Sequence, residues 1–456
     1  MNNASSSSAD DAVFRKVARR IIPFIFICYV VNFIDRVNIG FAKLQFLQDL
    51  KFDDAVFGIA AGMFFIGYVI FELPSNLLAA RIGVRKTLLR IMVLWGALTI
   101  VLMFVRTAST LYAVRFLLGA AEAGFFPAII LYLTYWFPDR RRGRIMSLFV
   151  MAVPLAGIVG GPLSGSIMSG LHGALGFAGW QWLFLIEGVP AIVLGLAAYF
   201  VLDDRPADAR WLSDSEKACI AAALSAGRAR RAAEARDVAA NEMGNEARKH
   251  GRLAEVLTNP RIYVLSAIYF SVFMALNAMG FWIPTLLRQV GVGHIRDIGW
   301  LSGGISVCTA IGIVLIGRHS DRRMERRWHV AGCGFAVAAS FLLLPLAAHS
   351  IALTVALLIA ASVGIYATLS LFWTIPTAYL HEDAAAGGIA TITAIGAIGG
   401  AVSPWLVGTL KASTGSLYIG LTAIAVLLTL GMLTLLWILR GSASHAQHAA
   451  DAVAHR

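Results

Sequence analysis

Twelve stretches of about twenty or more mostly apolar residues, separated by charged or Gly/Pro-containing turns, run the length of this chain. They lie at about 21–43, 56–80, 86–105, 109–136, 145–171 and 180–202, then 261–288, 298–317, 328–348, 350–379, 387–411 and 415–440. A bilayer core about 30 Å thick takes about 20 residues of helix, and backbone groups in lipid must satisfy each other. Runs of this length therefore predict transmembrane helices, and the short turns make neighbours antiparallel. Composition agrees, with 58% hydrophobic and 14% charged residues, where a soluble chain is about a quarter charged. A water-soluble enzyme, a disordered chain and a nucleic-acid-binding module are excluded. Cys28, Cys219, Cys308 and Cys333 show no paired spacing, so neither a disulfide framework nor a zinc site is implied. The first run holds Asn32, Asp35 and Arg36 with no small-residue cleavage site after it, and reads as a retained helix.

Segment 203–260 is polar, rich in Ala, Arg and Glu, and separates six runs from six. The resulting layout is a tail over 1–20, six helices over 21–202, the central loop 203–260, six helices over 261–440 and a tail over 441–456. Ser213 and Glu216 have capping-box spacing, which predicts one short amphipathic helix in the loop. The first twelve and last sixteen residues read as disordered from composition. Lys and Arg fix the orientation: thirty fall in the tails and alternate turns on one side, six fall on the other, and Arg36 and Arg115 lie inside spans. Both termini and the central loop are then expected in the cytoplasm, and the net charge of +12 reflects topology more than a polyanionic partner.

The two halves share a motif. Asn76-Leu-Leu-Ala-Ala-Arg81-Ile-Gly83-Val-Arg85-Lys86 aligns with Gly317-Arg-His-Ser-Asp321-Arg322-Arg-Met-Glu-Arg326-Arg327, 241 residues later. The pattern G-x-x-x-D-R-x-G-x-[RK]-[RK], once per half, resembles that of the major facilitator superfamily. The resemblance implies an all-α membrane protein of twelve transmembrane helices in two pseudo-symmetric six-helix bundles, with the substrate site at their interface. It also implies gating roles for Arg81, Arg85, Asp321 and Arg322. The first copy has Asn76 for Gly and Ala80 for Asp, so a charge relay through that turn is expected to be weaker.

An ionisable residue at membrane depth costs at least about 2.5 kcal/mol on insertion scales and persists where it meets a partner or a wet cavity. Asp35 and Arg36 in the first run, and Arg115 and Glu122 in the fourth, meet that description. Arg115 and Glu122 stand two turns apart, about 10.5 Å, too far for one tight pair but placed to face a common cavity with Asp35 and Arg36. Two carboxylates that exchange protons near neutrality when desolvated, beside two permanently charged guanidiniums that hold carboxylates bidentately, suit proton-coupled anion transport. Inert ion pairs that fix helix packing are the competing account. Glu72 and Glu187 read as solvated or capping residues near helix ends. Gly157, Gly161 and Gly165 read first as a close helix contact, and second as similar to the motif of drug:proton antiporters. Tyr68, Asn277, Ser370 and Trp373 are single residues at cavity depth, each of which packing also explains.

The resemblance narrows at Asn32-Phe-Ile-Asp35-Arg36-Val-Asn38, Arg115-Phe-Leu-Leu-Gly-Ala-Ala-Glu122, Trp182-Leu-Phe-Leu-Ile-Glu187-Gly, Gly280-Phe-Trp282-Ile-Pro284-Thr and Gly317-Arg-His-Ser-Asp321-Arg322. Over about 15–440 the chain is similar to the anion:cation symporter family, in its tartrate, phthalate and hydroxyphenylacetate permease branch. That implies Asp35 and Glu122 as proton sites, and Arg36 and Arg115 as the link between protonation and substrate. It implies substrate contacts at Tyr68, Ser370 and Trp373, and Asn277 and Thr393 are further candidates for substrate binding. Phe33 replaces the family's tyrosine, and Thr393 and Ala397 replace two asparagines, which inclines the substrate toward a dicarboxylic or aromatic acid and away from a sugar acid. The expected protein is a multi-pass transporter of a bacterial inner membrane, acting as a monomer by alternating access. Its partners are a small organic anion, protons and the bilayer, with no nucleic acid. No zinc-ligand cluster, nucleophile motif or nucleotide loop points to an enzyme or a cofactor. A proton antiporter in the same superfamily and a non-transporting membrane sensor are the alternatives.

Overall fold

The computed structural model describes residues 2–242, 260–323, 326–373 and 382–454. Among these residues the secondary structure is entirely helical, with fifteen α-helices and three short 3-10 turns. The helices are α1 (Asn2–Asp49), α2 (Asp54–Ile82), α3 (Val84–Leu102), α4 (Ala108–Glu122), α5 (Phe125–Trp136), α6 (Asp139–Val150), α7 (Ala152–Gly170) and α8 (Gly179–Val201). They continue as α9 (Asp214–Glu242), α10 (Pro260–Gln289), α11 (Ile295–Arg323), α12 (Arg327–Leu343), α13 (Ile351–Phe372), α14 (Glu382–Thr414) and α15 (Leu417–Ala454). Eleven segments are long and apolar enough to cross a membrane, with α4–α5 and most of α6–α7 each counting as one. The remaining sequence-predicted span is α3, whose 19 residues carry Arg85, Lys86 and Arg90 in the first two turns. Outward faces are apolar: Phe200 is 81% exposed, Leu315 60% and Ile70 55%. Such faces suit lipid and not water.

Two predicted spans are broken. Pro154 has no N–H to offer Val150, and the helix lapses at Met151 between α6 and α7. The fourth run breaks between α4 and α5, at Ala123 and Gly124. Both tails, read as disordered from composition, continue α1 and α15 as helix as far as residues 2 and 454. In the C-terminal tail six alanines among sixteen residues favour helix even where it buries nothing. The predicted short loop helix is 29 residues long. Its capping box forms: Glu216 Oε2 accepts from the Ser213 N–H at 2.8 Å and Ser213 Oγ accepts from the Glu216 N–H at 3.3 Å. Lys16 also donates to Glu216 at 2.8 Å, and that bond holds the carboxyl below its ordinary range. Segments 243–259 and 374–381, part of the predicted loop and of the tenth predicted span, lie outside the described residues.

The chain divides into two compact units. One comprises Met1–Arg36, Gly67–Gly157 and Gln181–Lys249; the other comprises Val37–Ile66, Ile158–Trp180 and His250–Arg456. In the first, α3 packs on α8 where a Cβ on Gly96 would lie 2.6 Å from the Gly188 carbonyl. In the second, α10 packs closely on α14, and α7 on α11. A Cβ on Gly161 would lie 2.7 Å from the Gly299 carbonyl, and one on Gly165 2.8 Å from the Ile295 carbonyl. These two glycines therefore serve close helix contact, as the first of the two sequence readings has it.

Candidate functional site

Asp35 and Arg36 are consecutive on α1, so their side chains leave the helix about 100° apart. They engage different neighbours. Asp35, 2% exposed, turns to α3, where Trp95 Nε1 donates to Oδ2 at 2.8 Å and Thr99 Oγ1 donates to Oδ1 at 3.0 Å. Arg36 turns to α4, where its Nε donates to Glu122 Oε1 at 2.5 Å. Asn32, one turn earlier, donates Nδ2 to the same oxygen at 2.8 Å. Glu122 is fully buried while the Arg36 side chain keeps 27% exposure. Glu122 Oε2 and Asn32 Oδ1 have no hydrogen-bond partner among the described residues. Arg115 is buried and lies within electrostatic range of both Asp35 and Glu122.

The four charges predicted to face one cavity thus form two hydrogen-bonded stations, with Arg115 acting on both. The α3 partners Trp95 and Thr99 were not picked out from the sequence, although a Trp and a Thr four residues apart mark one face of an apolar helix. Tyr68 joins the first unit's group, its ring centroid 5.1 Å from the Arg36 guanidinium carbon; Phe33 is 5.6 Å from the same carbon.

Glu122 is the last residue of α4. Ala123 is extended at ψ 132, and Gly124 has φ 89, in the left-handed region. A side chain at 124 would also meet Ser75 on α2. A left-handed glycine just past the last helical residue is the common helix stop, and here it interrupts a membrane span beside a buried carboxylate. Irregular backbone at membrane depth is tolerated where it is buried in protein. Glu187, read from sequence as a solvated helix end, is instead buried in the first half of α8, because Gly179 starts the helix two turns earlier.

The gating positions are described unit by unit. In the first, Arg81 is exposed and Arg85 stacks over Tyr199, 4.3 Å from its centroid. Asp204, beyond α8, accepts from the Arg85 N–H at 2.9 Å. It supplies a carboxylate near the turn where this copy has Ala80 in place of the motif's Asp. In the second, Asp321 pairs with Arg326 at 3.3 Å, and Asp321 and Arg322 are both exposed.

The remaining predicted contacts belong to the second unit. Trp373 follows α13 and packs against Tyr269 of α10, with ring centroids 5.0 Å apart. Ser370 and Thr393 are exposed, and each hydroxyl donates at 2.8 Å to a carbonyl four residues back, Tyr366 and Ile389. Asn277 Nδ2 likewise donates to the Phe273 carbonyl at 2.9 Å. Donors engaged with their own helix leave lone pairs and aromatic surface as the accessible chemistry. Tyr269, absent from the sequence-derived set, is the aromatic partner of Trp373.

Comparison with known proteins places this geometry. The family profile described as "Major Facilitator Superfamily" matches residues 25–404 and 291–452. A protein of Agrobacterium vitis named "Putative tartrate transporter" is 41% identical over 430 residues, 94% of this chain and 92% of its own length. A "Quinolone resistance transporter" of Acinetobacter baumannii is 34% identical over 421 residues, 92% and 93% of the two chains. The fold is similar to a bacterial homolog of the human lysosomal transporter Spinster, crystallised in an inward-facing, occupied conformation. The TM-score is 0.72 at 17% identity, over 92% of this chain and 96% of that one.

Proposed function

The chain belongs to the Major Facilitator Superfamily, and from that premise we propose that it imports an organic acid anion together with protons. Family and fold make it a multi-pass membrane transporter of a small organic molecule and not an enzyme. The finer reading rests on one observation. The fully buried Glu122 carboxylate is neutralised by Arg36, whose side chain alone in that station reaches 27% exposure. A proton arriving at Glu122 removes the counter-charge of Arg36. The guanidinium then attracts an anion, and its planar fork suits a carboxylate. Asp35, held by Trp95 and Thr99, is the second proton site, and Arg115 links the two.

Tyr68 and Trp373 contribute aromatic surface, and Asn277, Ser370 and Thr393 offer few free donors. That pattern suits a dicarboxylic or aromatic acid such as tartrate, phthalate or hydroxyphenylacetate, in line with the tartrate name of the Agrobacterium relative. On this reading two six-helix halves, 21–202 and 261–440, alternate access. Arg81, Arg85, Asp321 and Arg322 act at the cytoplasmic turns, and the monomer sits in a bacterial inner membrane with both termini inside.

The test is ligand-induced thermal stabilisation of purified protein across a panel of organic acids, followed by uptake of the best ligand into proteoliposomes. Symport requires that an acid exterior drive accumulation and that added substrate alkalinise a weakly buffered exterior. Proton movement opposite to substrate would establish the antiport reading instead.

A further inference from the structure

Lys43 lies on α1 seven residues beyond Arg36, inside the second unit. It is 2% exposed, and its Nζ has no hydrogen-bond partner among the described residues. A buried ammonium is kept only where something compensates it. Here the compensation is aromatic: Nζ lies 3.3 Å from the Trp282 ring centroid and 4.2 Å from that of Phe57. The two rings meet edge-on, with centroids 5.5 Å apart. The nearby carboxylate of Asp54 pairs through Oδ2 with Lys411 Nζ at 2.8 Å, and its Oδ1 is buried without a hydrogen-bond partner among the described residues. Lys411 itself is 5.5 Å from the Trp282 centroid. Two cations and one anion leave the cluster one positive charge in excess.

A second buried donor lies beside Lys43. Trp282 Nε1, like Lys43 Nζ, is buried and has no acceptor among the described residues. Two adjacent buried donors and a surplus positive charge are what a carboxylate would complete, with one oxygen for each donor. A ring face holds a desolvated cation without satisfying its N–H donors, and a carboxylate would add charge-assisted hydrogen bonds that the rings cannot supply.

We propose that Lys43 and Trp282 form a carboxylate-binding site at the α1–α2 turn end of the molecule, closed here over its own cation. It opens to the substrate anion when Val37–Ile66 parts from α10 and α14. The site rests on the organic-anion reading and adds to it an entry station two helical turns from Arg36.

The experiment measures uptake against external substrate concentration in proteoliposomes for wild type, Lys43→Met, Lys43→Arg and Trp282→Phe. Loss of a charge-assisted contact should raise KM about tenfold in Lys43→Met, with kcat within about twofold. Lys43→Arg should restore part of the loss, and Trp282→Phe, which keeps the ring and deletes the N–H, should raise KM about threefold. Lys43→Met removes a buried charge without a hydrogen-bonded partner, so its melting temperature should not fall. A packing latch alone predicts the opposite pattern, a changed kcat or melting temperature at constant KM. Unchanged KM in both Lys43→Met and Trp282→Phe overturns the site while leaving the transport reading intact. If Lys43→Met fails to insert, Lys43→Arg and Trp282→Phe decide alone. Absence of organic-acid uptake by the wild type overturns the transport reading and the site with it.

Discussion

Replacing Glu122 by Gln isolates the charge of the buried carboxylate from its shape. The amide oxygen can still accept from Arg36 Nε and Asn32 Nδ2, now 2.5 and 2.8 Å from Oε1. The bond from Arg36 loses its ionic partner, and the drop from a charged to a neutral acceptor is about 1 kcal/mol for each bond. Arg36 also loses its counter-charge, but with its side chain 27% exposed it recovers part of that from solvent. The net destabilisation should be about 2–3 kcal/mol, below the 3–5 typical of breaking a fully buried pair. The protein should still insert and be purified. The transport consequence is larger. A pH difference of one unit is worth about 1.4 kcal/mol per coupled proton, a tenfold accumulation for each. A variant that has lost one proton carrier should accumulate about tenfold less substrate across the same gradient. Substrate counterflow, which needs no net proton movement, should persist. The assay is gradient-driven uptake and counterflow on the same Glu122→Gln proteoliposomes. Wild-type accumulation would remove Glu122 from the coupling mechanism, and loss of both activities would make it a structural residue.

Three further outcomes follow from the same geometry. Asp35→Asn keeps an acceptor for Trp95 Nε1 but carries no proton, so gradient-driven uptake should fall as for Glu122→Gln while counterflow continues; Trp95→Phe should instead cost about 1 kcal/mol of stability and change accumulation little, read by melting temperature and uptake together. Arg115→Lys and Arg36→Lys should each lower uptake at least tenfold despite keeping the charge, because an ammonium lacks the planar fork; full uptake by both would make them packing elements. Gly124→Ala forces a Cβ into the left-handed region and against Ser75, and should lower stability by at least about 1–2 kcal/mol, measured by thermal unfolding in detergent.

How much of this was legible beforehand depends on the kind of signal. Membrane spans are written in runs of about twenty residues, so every predicted span corresponds to helix in the described residues. The charged residues stood out because hydrocarbon makes them costly. What sequence could not assign was partnership. Asp35 and Arg36 are expected from sequence to face one cavity with Arg115 and Glu122, yet the helical step sends them to α3 and α4. Trp95 and Thr99 carried no flag because neither is ionisable. The break after Glu122 did have a signal in Gly124, but apolar residues on both sides concealed it, since two collinear half-helices look like one span. Asp204 escaped for a different reason. It lies 119 residues from the Arg85 N–H it caps, and no periodicity links them.

On the proposed symport reading, these placements give a reason for proton and anion to travel together. Asn32, Asp35 and Arg36 occupy little more than one turn of α1, and within that turn the helix is tied to α3 through one carboxylate and to α4 through the other. Protonating Glu122 weakens only the α4 tie, since its acceptor loses the charge that Arg36 and Asn32 hold. Protonating Asp35 weakens only the α3 tie. Neither event alone frees α1, so a single proton leaves the helix anchored on one side. An anion at Arg36 replaces the charge that Glu122 gave up and makes the doubly protonated state electrostatically acceptable. Without it, that state would hold two buried or half-buried guanidiniums with no counter-charge, at several kcal/mol. The empty, fully protonated state is thus disfavoured, and so is the loaded, fully deprotonated one, where a third negative charge would face two arginines. On that reading coupling would arise from excluding those two states, and it would require no direct contact between substrate and either carboxylate.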